Sequence, residues 1–131
     1  MSVFKTTFSR ALAVIPSDNA NVPYPAPSAS GTNTSVAVAA LVDSAATFNT
    51  KNVKTGDIVY NTTDGTAATV ISVVSQTQLL LNADIFTATA KAYVVYAASP
   101  QTSNGNPGCF LYVGGAGNVK VTTIGGDVIT F

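Results

Sequence analysis

The chain has 131 residues, enough for one domain or two very small ones sharing a core. Hydrophobic residues make up 47% but charged residues only 9%, against about 25% in an ordinary globular domain, so Thr, Ser, Asn and backbone amides must build the polar surface. Six Lys and Arg balance six Asp and there is no His, Glu or Trp; zero net charge recruits neither nucleic acid nor an anionic membrane, and so sparse a charge favours a surface covered by other subunits.

Near the start, Ala11–Ile15 is a candidate strand, ended by Pro16 and the turn formers Ser17, Asp18 and Asn19. Its apolar run is too short for a signal-peptide core or a membrane span, which predicts a chain made in a cytoplasm and used as made. Residues 17–34 carry Pro23, Pro25 and Pro27 among Asn, Ser, Ala and Gly31. Prolines at alternate positions remove ladder donors, so this segment is expected to be an extended arm lying along a partner chain. Ser35–Val42 is ambiguous, because its alanines favour helix while Val36, Val38 and Val42 share one face of a strand. Neighbouring strand signals favour strand.

From residue 51 to 97 the signals are clearer. Ile58–Asn61 is a strand after the turn at Thr55-Gly56, and Asp64-Gly65 marks a hairpin. Thr66–Val74 is a longer strand, Ser75–Thr77 a turn, Gln78–Asn82 a strand, Phe86 the start of a return loop and Ala92–Ala97 a closing strand. Short strands at this density predict a small SH3-like barrel or sandwich. Residues 98–109 are a second linker. Then come the apolar runs Phe110–Val113, Val119–Ile124 and Val128–Phe131, joined by Gly-Gly-Ala-Gly-Asn and Gly-Gly-Asp, the pattern of an antiparallel meander. The expected class is all-β, without repeats, heptads or helix-length amphipathic runs.

Catalytic chemistry finds little purchase. Without His or Glu, a Ser or Cys109 nucleophile has no ordinary base, and Cys109 reads as a small hydrophobe beside a turn. A lone cysteine also excludes an internal disulfide, and zinc ligation within the chain is excluded with it. Asp18, Asp43, Asp57, Asp64, Asp84 and Asp127 are scattered without calcium-loop spacing; Asp57, Asp64 and Asp127 adjoin turn glycines, where Asp bonds local backbone. Gly114-Gly115-Ala116-Gly117 leads into a strand rather than a helix, so it reads as a hairpin turn and not a phosphate loop. Tyr24, Tyr60, Tyr93, Tyr96 and Tyr112 read as packing residues rather than a sugar platform, since Tyr93 and Tyr96 face opposite sides of their strand. Lys5, Arg10, Lys51, Lys54, Lys91 and Lys120 do not cluster into a nucleic-acid footprint. No cofactor or metal is implied, and the chain is not expected to be an enzyme.

Two separated segments resemble the spike-base and virion structural proteins of tailed bacteriophages and gene-transfer agents. One is Arg10-Ala11-Leu12-Ala13-Val14-Ile15-Pro16-Ser17-Asp18, followed by Pro23. The other is Leu111-Tyr112-Val113-Gly114-Gly115-Ala116-Gly117-Asn118-Val119, followed by Gly125-Gly126-Asp127-Val128-Ile129-Thr130-Phe131. Asn118 stands where that family often has Asp. In such proteins the two motifs form one small β-domain, so the resemblance implies three parts here. These are an N-terminal strand and arm (1–33), an inserted barrel-like module (34–99) and a Gly-rich meander (100–131). It also implies a capsid decoration (cement) or spike-base subunit of a virion, with a trimer favoured, whose partners are a major capsid protein or tail and spike proteins. The candidate interface residues are Pro23, Tyr24, Pro25, Pro27, Tyr112 and Phe131. The alternative reading is an extracellular or phage adhesion module that contacts surface glycan.

Overall fold

The computed structural model describes residues 11–98, 114–122 and 126–131. All its regular structure is strand: β1 (Pro27–Thr32), β2 (Ala40–Val42), β3 (Ile58–Asn61), β4 (Thr66–Ser75), β5 (Gln78–Leu81), β6 (Ala92–Tyr96), β7 (Lys120–Thr122) and β8 (Val128–Thr130). The first six make one antiparallel sheet in the order β1-β6-β3-β4-β5-β2, curled into a half-barrel. An isolated bridge between Ser35 and Val42 joins its two edges at one point.

The curl is built into β4. Thr66–Thr69 pair with β3, and from Val70 onward the strand pairs with β5, with register breaks between Val70 and Ser72 and between Val73 and Ser75. An unpaired residue bends the strand and adds twist, so two bulges let ten residues turn the corner between the halves. The two-residue turn Gln76-Thr77 returns the chain, fixed by the Thr77 amide on Ser75 Oγ at 3.2 Å. At the β3–β4 turn Asn61 Oδ1 accepts the amides of Thr63 and Asp64, and Gly65 takes a φ of 69°.

Leu41, Phe48, Val59, Val70, Leu79, Leu81, Phe86, Tyr93 and Val95 fill the concave side. The opposite face of the central strands is also covered. Ile58, Tyr60 and Ala67 pack there against Leu12, Ile15, Ala20 and Tyr96. All four residues of β3 are therefore buried, although they alternate between faces. Tyr93 enters the core while Tyr96 joins the outer cluster, as their odd spacing requires.

The N-terminal third departs from expectation. Ala11–Ile15 joins no ladder; the segment is a strap over the outer face, tied by Ser17 Oγ donating to Ala67 O (2.9 Å) and Asn19 O accepting from Thr69 Oγ1 (2.7 Å). Nor is 17–34 an arm held away from its own domain. Its second half is β1, paired with β6 in the chain's own sheet. The prolines allow this because Pro23 and Pro25 precede the ladder and Pro27 opens it, while Ser28–Thr32 keep every amide. The sheet thus begins before residue 34 and has six strands.

Only the end of Ser35–Val42 is a strand. The Ala40 amide bonds Ala37 O and Ala39 adopts a left-handed φ of 48°, so the alanines make a turn and leave Val36 and Val38 exposed. At the C-terminal end β7 and β8 form a two-stranded antiparallel sheet, which agrees with two runs of the meander. The third run, Phe110–Val113, lies outside the described residues, as do Arg10, Cys109 and Tyr112.

Candidate functional site

Among the described residues the polar side chains of Asn33, Asp43, Asp57 and Asn61 are buried, and each is anchored to backbone or to a partner. Asn33 donates to Ala88 O and accepts the Lys91 amide, which ties the end of β1 to the entry of β6. Asn61 donates to Asp64 Oδ2 and Ile85 O. Asp57 accepts the amides of Lys54 and Ala98. Asp43, just after β2, accepts the Ala45 amide on one oxygen and the Tyr93 hydroxyl on the other, at 2.7 Å. Burial pushes the Tyr93 pKa up first, and the bond to Asp43 and its negative charge add to it.

This last pair floors a surface slot of about 400 Å³ lined by Gly31, Thr32, Asp43, Ala46, Lys51 and Tyr93 among others. One wall is β1. The other is the connection after β2, which the β4–β5 turn holds in place: Gln76 Oε1 accepts the amides of Asn49 and Thr50, and the Phe48 amide bonds Gln76 O. Gly31 is the point of closest approach. A Cβ built there would meet Asp43 Oδ2 at 2.6 Å and Tyr93 Oη at 2.8 Å.

The chemistry available is modest. Among the described residues no group of three His, Cys, Asp or Glu is placed to hold a metal ion, and no helix is long and apolar enough to cross a membrane. Lys91 and Asp64 form an exposed ion pair at 2.8 Å; its hydrogen bond, with that from Asn61, holds the Asp64 carboxyl below its usual range. Asp64 does not cap its own turn. Asn61 does.

Nor do Tyr60, Tyr93 and Tyr96 form a stacking platform. Tyr60 and Tyr93 are buried, and Tyr96 packs edge-on against Tyr60 with ring centroids 5.3 Å apart. The Tyr60 hydroxyl is buried without a well-formed hydrogen bond; burial raises its pKa, the Ile15 backbone opposes the shift and Tyr96 adds to it.

The candidate interface residues are dispersed. Pro23 is buried, Tyr24 and Pro25 are half-buried, and the Tyr24 amide bonds Ala97 O. Pro27 is exposed opposite Tyr96, Phe131 is 72% exposed, and Tyr112 lies outside the described residues. What the sequence pattern missed is the apolar surface elsewhere: Ile71, Val74 and Leu80 on β4 and β5, and Val36 and Val38 before β2. Asp43 was also invisible, since its partner Tyr93 is fifty residues away. No family model matches the chain, and neither a curated protein nor a solved structure is significantly similar to it.

Proposed function

We propose that this chain is a structural component of a tailed-phage virion, a capsid decoration or spike-base subunit that acts by adhesion to neighbouring chains. The observation that carries the reading is the distribution of exposed large apolar side chains. Ile71, Val74 and Leu80 stand out from β4 and β5, Val36 and Val38 from the preceding loop, and Val128, Ile129 and Phe131 from the terminal hairpin. A chain with so few charges gains little solubility from the rest of its surface, and exposed apolar side chains on paired strands, as on β4 and β5, fit a surface that partners cover. The resemblance of residues 10–18 and 111–131 to spike-base and virion proteins supplies the particle, and a trimer is the assembly it favours. The buried polar groups serve the fold rather than a substrate, which supports a non-enzymatic role.

The direct test is composition of the particle. Particles purified from the host that makes this chain should contain it in amounts comparable to their other structural proteins, and it should stay with them through a density gradient. A chain found only in the soluble fraction would overturn the reading.

A further inference from the structure

The slot beside β1 has the hydrogen-bonding character of a missing strand. In an antiparallel ladder, alternate residues turn their backbone groups toward the partner strand and away from it. The Asn33 amide bonds Lys91 O, and the register continues through Gly31 opposite Tyr93 and Ala29 opposite Val95. These residues face β6, so the N–H and C=O groups of Ser30 and Thr32 face away from it. The other side of β6 agrees, since the Thr62 amide bonds Ala92 O and so turns that residue toward β3.

Thr34, next in the outward series, shows what such groups do when a strand is available: its amide bonds Val42 O of β2 at 2.8 Å. Beyond that bond the two edges of the half-barrel part, and Ser30 and Thr32 line the open slot. Small residues flank it, namely Ala29, Gly31, Ala45, Ala46 and Thr47, leaving room for a backbone. The Asp43 carboxylate in the floor is already committed to Tyr93 and Ala45. A charged insert would meet no free counter-charge there except Lys51 at the rim. The slot suits an uncharged, extended segment.

Among the described residues the C-terminal strand is such a segment. Strand β8 is paired with β7 along one edge, neither strand joins the six-stranded sheet among the described residues, and Val128, Ile129 and Phe131 are exposed. A two-stranded hairpin is marginal in water unless its apolar side is covered. We infer that the slot between β1 and the 43–51 connection accepts the C-terminal strand Val128–Phe131 of a second copy of this chain, by strand addition to Ser30 and Thr32. This rests on the adhesive reading above and names its contact.

The test compares self-association of the full-length chain with that of two variants by sedimentation at micromolar concentration. Thr32→Pro deletes an outward amide without touching a bond to β6, and Ile129→Lys puts a charge on the inserting strand. Each should weaken association by about tenfold or more, and the double variant should be little worse than the weaker-binding single, because both break one contact. Circular dichroism checks that Thr32→Pro folds; Ile129→Lys lies outside the six-stranded sheet and tests the contact even if it does not. Association unchanged in Ile129→Lys, or in folded Thr32→Pro, would overturn the inference, as would a wild-type chain that stays monomeric. Leu80→Thr, outside the slot, separates the two proposals. If it alone weakens association, the slot assignment fails while adhesion through the outer face stands.

Discussion

Tyr93 Oη donates a 2.7 Å hydrogen bond to Asp43 Oδ2 in the floor of the slot, joining the strand at the middle of the sheet's β1 side to the residue that leaves β2. Asp43 is 4% exposed and Tyr93 2%. The bond spans the gap where the half-barrel does not close, so it does across the slot what a ladder does elsewhere. Tyr93→Phe removes the donor and leaves a buried carboxylate oxygen unpaired, which should cost about 1–3 kcal/mol. Urea unfolding with an unchanged m-value would measure it; a loss below a few tenths would mean that water takes over the role of the hydroxyl.

Tyr60→Phe should do the opposite. The same chemical change here removes a buried hydroxyl that lacks a well-formed bond. Relieving that desolvation should leave stability unchanged or raise it by about 1 kcal/mol. The two substitutions, run side by side in urea, form an internal control, and a large loss in Tyr60→Phe would show that its hydroxyl has a partner in solution.

Alkaline pH should destabilise the fold through these same groups. Both tyrosines have folded-state pKa values raised above the ordinary 10.0, chiefly by burial. The unfolded chain therefore releases these protons first as pH rises. Their contribution is complete below pH 10 and is lost as pH climbs from there through the folded-state values. Urea midpoints taken in steps above neutrality should stay level from these groups and then fall, with a shallower fall in Tyr93→Phe.

Gly31→Ala tests the close approach. The new Cβ would stand 2.6 Å from Asp43 Oδ2, inside any normal contact, so Asp43 or β1 must shift. The expected cost is about 1–3 kcal/mol, as for other overpacked sites. Combined with Tyr93→Phe the two losses should not add, because both disturb one pair. Additive losses in thermal or urea unfolding would place the strain elsewhere.

The sequence made the middle of this fold legible. Ile58–Asn61 matches β3 residue for residue, and β4, β5 and β6 differ by a residue at their ends, because alternation and the Asp64-Gly65 and Ser75–Thr77 turns are local signals. Two failures share one cause. The prolines at 23, 25 and 27 read as an arm, and the apolar run at 11–15 as a strand, because local pattern cannot say what surface waits elsewhere. Once β6 offers an edge, Ser28–Thr32 pair with it. Once Ile58, Tyr60 and Ala67 offer an apolar outer face, Leu12 and Ile15 lie on it without any ladder. The candidate site was less legible still, since Gly31, Asp43 and Tyr93 meet only when the half-barrel curls. No spacing in the sequence marks them as neighbours.

The pairing of β1 with β6 also sets an order of events during synthesis. Ser28 Oγ bonds Val95 O, a contact sixty-seven residues apart, whereas β3, β4 and β5 are joined by tight turns. Closing so long a loop costs more entropy, so the β3–β4–β5 hairpins can form while β1 is still waiting. On the ribosome that wait lasts until residue 96 has emerged, and both edges of Pro27–Thr32 are bare throughout. Its serines, glycine and threonine, set behind three prolines, are a composition poorly suited to aggregation. The residues that read as an extended arm would thus stay unpaired without aggregating until their partner strand arrives.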